Sequence, residues 1–466
     1  MSPSTLPAAA AAELGALRTQ LDGALATPDE PAYDALRASW NLTFDQRPAV
    51  VVEAAGADDV VAALGFAQQH ALPVAVQATG HGAAVPCVGG LLIRTGRMRE
   101  VAVDPARRIA RIGAGARWTD VLPETALHGL APLIGFNPHV GVVGCALGGG
   151  LGWLGRRHGL AVDSVHALDV VLPDARRTRV TAEREPDLFW ALRGGAGGFG
   201  VVVAIELRLV SAPQLFGGSV LYPGERAAEV LAAYGRWIEE LSEEVTSALA
   251  VVRLPPLPQV PEPLRGRTLV SVSACALADP RRAAALLAPM RELSEPVADR
   301  FRPLSIEQLG EVALEPADPM PAVGHAAIVP ALTAEVAALV AGTAAGQQPF
   351  ARVELRHLGG AFARPGAPCA LARPDGELLL HAEAVTPPGA AGAAARAALR
   401  ALAARLEPLA TATVPPGFLG ELETGPERVA RAFPSESRWR LGALKRDLDP
   451  DWRFRFGRPI PLDWAV

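Results

Sequence analysis

The chain has 466 residues, half of them hydrophobic, with 44 basic against 49 acidic residues and a formal charge of −5. That balance argues against a nucleic-acid binder, and the hydrophobic content rules out global disorder. The 46 glycines and 42 prolines are dispersed, which rules out collagen-like and low-complexity architectures, and a single lysine, Lys445, leaves no glycine-rich loop able to act as a Walker-type phosphate loop.

Residues 1–45 read as a helical lead-in, with Leu14, Leu17 and Leu21 at helical spacing and Tyr33, Trp40 and Phe44 ready to pack on something larger. Strands are expected over Pro48–Glu53, Leu72–Gln77, Leu91–Arg94 and Arg108–Gly113. A helix over Ala57–Gln68 should bury Val61, Leu64 and Ala67. From Val140 to Gly152 the chain is glycine and small apolar residues without a helical period. Regular signals resume in Val165–Leu172, Asp187–Leu192 and Val201–Leu207, and Pro213 marks a boundary. Beyond it, strands mix with Ala-rich helices over 226–242, 280–293, 332–342 and 389–405. The run Leu254–Pro263 is a stiff Pro-rich connection, and the tail from Trp439 to Val466 is aromatic and basic.

Cys87, Cys145, Cys275 and Cys369 are too few and too scattered for a disulfide scaffold or a CxxC zinc site. His139, His158 and His166 lack metal-ligand spacing, so no metal is expected. The free thiols suit a reducing, cytoplasmic setting. No signal peptide is expected, and no uncharged apolar run approaches the roughly 18 residues of a spanning helix, so no membrane partner is expected. Oligomeric state is left open.

Two stretches, Gly150–Gly155 and Gly195–Gly200, match GxGxxG. Neither sits between a first strand and a helix with an acidic residue about 20 positions on, so a dinucleotide Rossmann site is not indicated. More informative is Pro73-Val-Ala-Val-Gln-Ala-Thr-Gly-His-Gly82, a strand running into a small-residue turn tipped by a histidine. Backbone N–H groups of such a turn can converge on an anion.

Taken in order, ATGHG, NPHVGVVGCALGGGLGWLGRRHGLAVDSV and PDLFWALRGGAGGFGVV resemble the PCMH-type FAD-binding module of the vanillyl-alcohol oxidase superfamily. Within that superfamily the berberine-bridge-enzyme-like oxidoreductases are the nearest likeness. The closing LKRDLDPDWRFRFGRPIP resembles that family's end signature, in which the chain returns to the flavin domain. The resemblance covers 46–212 strongly, 439–461 well and the middle loosely. It implies an α+β fold: a two-part FAD-binding domain over 46–212, with the lead-in 1–45 packed on it. A substrate domain over 213–430 would carry an antiparallel sheet covered by helices on one face, and 431–466 would return to the FAD domain.

The resemblance implies FAD bonded through His81 to the 8α-methyl. Relatives with a second link use a cysteine where Asn137 stands, so one covalent bond is expected. Ala78, Thr79, Gly80, Gly82, Asn137, Val140, Gly141, Gly144, Cys145, Gly148, Gly149, Gly150, Gly152, Gly200, Val201 and Gly457 would surround the cofactor. Cys145 and Cys87 read as buried fillers. Gly198 and Gly457 stand where the family often has Asn.

The family's usual tyrosine base falls in Val414–Leu419, which has no tyrosine, and the chain has only Tyr33, Tyr222 and Tyr234. Strand alternation supplies other candidates. Glu354 and Arg356 share a face opposite Val353, Leu355 and His357. His381 and Glu383 oppose Leu378, Leu380 and Ala382, and Ser271, Ser273 and Cys275 oppose Val270, Val272 and Ala274. Arg356, Glu354, His381 and Glu383 are therefore candidates for substrate contact or base, with Tyr222 as a further one; an ordinary solvated sheet face is the plain alternative. The expected function is an FAD-dependent oxidase or dehydrogenase that takes a hydride from a small organic substrate, in secondary metabolism, with O2 as acceptor. The alternatives are a non-redox flavin-dependent cyclase or isomerase, or a non-catalytic binding protein on the same scaffold.

Overall fold

The expected βαβ opening forms from β1 (Val50–Glu53), α1 (Ala57–Gln69) and β2 (Val74–Gln77), with β3 (Leu91–Arg94) between the two strands and parallel to both. In this computed structural model the described residues are 6–82, 84–195, 197–258, 260–313, 315–345, 349–421, 425–457 and 460–465. Ala83 beside His81, Ala196 in the second glycine stretch, Gln259 in the Pro-rich run and 458–459 in the closing signature lie outside them. Helix α1 buries Val60, Ala63, Leu64 and Ala67. The buried stripe follows i, i+3, i+4, i+7 from Val60, and Val61, expected inside, is half-buried. Asp59 in its first turn is buried and accepts the backbone N–H groups of Asp22 and Gly23 at 2.9 Å and Ala55 at 2.7 Å. Gly23 is required there, because a Cβ would lie 1.9 Å from the Glu53 carbonyl oxygen.

A second, antiparallel sheet carries β4 (Ile109–Gly113), β5 (Val165–Val171) and β6 (Val201–Arg208), with β6 central. Its edge strand Val101–Asp104 and the helix Trp118–Ala126 had no clear sequence signal, the helix because Pro123 lies inside it. The glycine stretch contains a short helix, α2 (Val142–Leu147). Small residues hide its period.

The third sheet holds β7 (Leu215–Pro223), β8 (Val245–Arg253), β9 (Thr268–Ala276), β10 (Ala322–Val329), β11 (Phe350–His357) and β12 (Leu378–Val385). Their order is β7-β9-β8-β11-β12-β10, antiparallel throughout, with Ala298–Asp299 outside β7. Helices α3 (Ala227–Glu239), α4 (Pro280–Arg291), α5 (Ala334–Gly342) and α6 (Ala390–Leu406) cover one face. Beneath them Leu249, Val251, Val270, Val272, Val353, Leu355, Leu378 and Leu380 form the core. Burying each such side chain favours the fold by about 1.5–3 kcal/mol, which fixes the register and sends the alternate side chains to the other face.

That other face is held over the first two sheets by two arginines, Arg156 buried and Arg373 half-buried. Arg156 donates to the carbonyls of Leu358 (3.0 Å), Ser242 (3.0 Å), Val245 (2.8 Å) and Leu241 (3.2 Å). Arg373 grips Asp163 through both Nη atoms, at 2.8 and 2.5 Å. The chain ends with α7 (Ser435–Leu448) and a segment whose Arg453 carbonyl accepts the N–H of Val74 at 2.8 Å, which ties the tail to β2.

Candidate cofactor and substrate site

Between the two halves lies a cavity of about 540 Å³, within the range of small-molecule and cofactor sites. One wall is the turn after β2: Ala78, Thr79, Gly80, His81 and Gly82. Gly80 has φ +83°, and a Cβ there would press on Ser39 at 2.9 Å, so the turn closes only with glycine. The His81 ring stacks on Trp40, with centroids 4.1 Å apart and planes 15° from parallel. Its Nδ1 is 2.8 Å from Thr79 Oγ1, and its Nε2 is buried with no hydrogen-bond partner among the described residues. Burial, with help from Arg117 and His139, pushes the His81 pKa down to about 3. The imidazole is therefore neutral, and a proton on Nδ1 donating to Thr79 leaves the Nε2 lone pair unused.

The second wall is the glycine stretch. Val140, Gly141, Gly144, Cys145, Gly148, Gly149 and Gly150 line the cavity, with Asn137 beside them. Gly149 and Gly150 have φ of +106° and +71°, and a Cβ on Gly150 would lie 2.5 Å from that of Ala161. Asn137 carries no thiol; its side chain accepts the His139 N–H at 2.8 Å. Burial pushes the Cys145 thiol up to about 11, so it is an inert filler. The third wall joins Gly197, Gly198 and Gly200 to Phe454, Phe456 and Gly457.

Two expected wall residues belong elsewhere. Gly152 is a packing glycine, since a Cβ would lie 1.5 Å from the Ile134 carbonyl oxygen, and Val201 sits in the core behind the wall. In contrast, a Cβ on Gly144, Gly197 or Gly457 would meet nothing within 4 Å. These three glycines keep open a space that a ligand can fill. The cradle and the orphaned His81 Nε2 fit a flavin nucleotide.

The roof is the uncovered face of the third sheet. Register places Glu354 beside His381, Arg352 beside Glu383 and Arg356 beside Leu379. Arg356 lies over the Phe136 ring at 4.2 Å and the Phe418 ring at 5.2 Å, and donates from Nε to Glu354 at 2.7 Å. Its Nη groups have no hydrogen-bond partner among the described residues. Glu354 is not on the cavity wall: it is buried between Arg356 and Arg352, the latter 3.7 Å away. Burial works against its carboxylate, yet the two guanidiniums together hold its pKa below the ordinary value. His381 lines the cavity edge-on to Phe418, with centroids 5.3 Å apart, and burial beside Arg356 pushes it down to about 3. Room for its ring comes from Gly324, where a Cβ would lie 2.9 Å from Nε2. Glu383 lines the cavity too, makes no hydrogen bond or ion pair among the described residues, and is raised by burial.

Tyr222 is not part of the site. It is buried in the helix-covered core, its hydroxyl donating to the Met290 carbonyl, because position 222 alternates away from the roof. Tyr33 and Tyr234 do not line the cavity either. Trp40, Phe136 and Phe418 were not foreseen as site residues. The one available signal was the aromatic cluster of the lead-in, whose Trp40 Nε1 donates to the Ala317 carbonyl at 3.0 Å across the cleft.

These features define a flavin-binding protein, and residues 48–181 match the FAD binding domain family. (R)-6-Hydroxynicotine oxidase of Paenarthrobacter nicotinovorans is 30% identical over 225 residues, 48% of this chain and 46% of that protein. An FAD-dependent monooxygenase of Fusarium proliferatum is 36% identical over 181 residues, 38% of this chain and 35% of that protein. In these matches the chain spans half or less of the curated relatives' length. The crystal structure of 6-hydroxy-D-nicotine oxidase from Arthrobacter nicotinovorans superposes with a TM-score of 0.83 at 26% identity, covering 95% of this chain and 98% of that one. BBE-like 1 of Physcomitrella patens shares the fold, with a TM-score of 0.82 at 17% identity over 96% of this chain and 99% of that one. The chain therefore carries an FAD binding domain over residues 48–181 and shares its overall fold with these flavin-linked neighbours.

Proposed function

We propose that the chain is an FAD-dependent oxidoreductase, an oxidase that removes a hydride and a proton from a small organic substrate and passes the electrons to O2. The observation that carries this reading is the cavity itself, glycine-walled with an orphaned imidazole nitrogen on one side and a row of ionisable side chains on the other. His81 would hold the cofactor covalently and alone, since Asn137 offers no second nucleophile, and Nε2 is the nitrogen with a free lone pair. A bound flavin supplies the two-electron acceptor.

The chain's residues then do the rest. The Phe136–Phe418 sandwich fixes Arg356 so that its Nη groups can orient an oxygen of the substrate. Glu354 is spent on neutralising Arg356 and Arg352, so it positions Arg356 and takes no proton. His381 stays neutral and offers a hydrogen bond. Glu383 is the base that accepts the substrate proton, being raised and unpaired within the cavity. Secondary metabolism suits a chain with a partial sequence likeness to a fungal FAD-dependent monooxygenase, and the free Cys87, Cys145, Cys275 and Cys369 suit a reducing, cytoplasmic compartment.

Acid precipitation tests the cofactor: yellow colour should stay in the pellet and move to the supernatant in His81→Ala. Anaerobic mixing with a panel of alcohols and amines tests the chemistry, since a substrate should bleach the flavin and leave a product lighter by two hydrogens. A product of unchanged mass would replace this reading with an isomerase or cyclase. A colourless protein that takes up no FAD would replace it with a binding scaffold.

A further inference from the structure

The chain uses arginine for every basic side chain but one, and the exception is buried beside the cofactor cavity. Lys445, on α7, has no exposed surface. Its ammonium donates to three acceptors: the Gly198 carbonyl at 2.5 Å, Asp449 Oδ2 at 2.7 Å and the Phe454 carbonyl at 3.1 Å. Three donors meet three acceptors, so the group is satisfied. Lysine fits this point because its donors share one nitrogen, whereas a guanidinium spreads five over a plane.

The acceptors belong to both halves of the third cavity wall. Gly198 lies in the loop with Gly197 and Gly200, at φ +89°, +87° and +145°. A peptide run of this kind has little intrinsic preference for its conformation. Phe454 starts the tail that continues through Phe456 to Gly457, and all of these residues line the cavity. Asp449 shapes that tail by accepting the N–H groups of Arg453 at 2.8 Å and Phe454 at 2.9 Å. Remove the ammonium and the Gly198 and Phe454 carbonyls lose their common donor, at a contact that is part-buried on the Gly198 side and buried on the Phe454 side, where an unpaired acceptor is costly.

We propose that Lys445 is a positioning residue for the cofactor: its ammonium ties the second glycine loop to the C-terminal segment, and so keeps the cavity wall closed around a bound flavin. The proposal rests on the flavin reading above. It gives the C-terminal segment a task in cofactor retention, and Lys445 a role without contact to the cofactor.

The test uses the His81→Ala protein, in which no tether masks release. Lys445→Met in that background should release FAD about ten- to a hundredfold faster on dilution, read by recovery of flavin fluorescence. A control that damages packing elsewhere, Leu399→Ala under α6, should lower the melting temperature and leave the release rate unchanged. Release from Lys445→Met at the parent rate, or equal acceleration in both variants, would overturn the proposal.

Should Lys445→Met fail to fold, the single lysine gives a second measurement. Reductive methylation of the His81→Ala protein, followed by peptide mass spectrometry, should modify Lys445 about tenfold faster without FAD than with it. Equal rates would overturn the proposal. A wild-type protein that holds no flavin and takes up none would remove the flavin reading and this proposal together. Tight flavin binding in both proteins, with Lys445→Met indistinguishable from its parent, would remove only the latter.

Discussion

Mild acid should destabilise this protein, because buried histidines, His357 and His381 among them, are held neutral. Burial pushes His357, next to Arg156, and His381, next to Arg356, from an ordinary 6.5 down to about 3. In the unfolded chain both return to the ordinary value. Between the two values the unfolded state binds more protons, so stability is present above pH 6.5 and lost as pH falls toward 3. At 1.36 kcal/mol per pKa unit, each histidine costs about 2 kcal/mol at pH 5, against about 0.2 kcal/mol at pH 7. The pair together removes nearly 4 kcal/mol, which is large beside the ~5–15 kcal/mol of a typical fold. Glu383, raised by burial, works in the opposite sense and returns part of the loss. His357 is the group to change, since its side chain lies on the helix-covered side, off the cavity wall. In His357→Leu the stability difference between pH 7 and pH 5 should shrink by about 2 kcal/mol. Urea unfolding followed by tryptophan fluorescence at pH 7, 6 and 5 measures it. An unchanged pH dependence in the variant would refute the reasoning.

Three further outcomes follow from the site and its supports. Arg156→Met leaves the carbonyls of Leu241, Ser242, Val245 and Leu358 without their donor and should cost about 3 kcal/mol or more, measured by thermal unfolding. Tyr222→Phe should cost about 1–2 kcal/mol, through the lost bond to the Met290 carbonyl, and leave kcat unchanged. Glu383→Gln should lower kcat about a hundredfold or more. It should also abolish the acidic limb of the pH profile, in which activity rises as the raised carboxyl ionises; an intact limb would move the base to another group.

Much of this arrangement is legible in the sequence, for stated reasons. The ATGHG turn reveals itself because only small residues permit its close approach to a ligand, and the glycine stretches behave alike. The roof follows from alternation: once Val353 and Leu355 face the helices, Glu354 and Arg356 must face the other way. Alternation assigns a face but not a partner. It could not tell that Glu354 is consumed by two arginines while Glu383 stands unpaired. Helix α2 was hidden because Val142–Leu147 carries no amphipathic period, and Trp118–Ala126 because a proline interrupts it.

Local pattern by itself determined the antiparallel sheet with one apolar face and the absence of a tyrosine from the Val414–Leu419 stretch, since each is a property of neighbouring residues, while the FAD-binding module was read from the resemblance of the ordered glycine segments to a known family. Only the tertiary structure decided which of these residues meet. Trp40 reaches His81 across 41 positions, Phe136 and Phe418 close on Arg356 from opposite ends of the chain, and Lys445 finds Gly198 from 247 residues away. Contacts of that separation depend on how three sheets pack on one another, and periodicity within one segment carries no record of it.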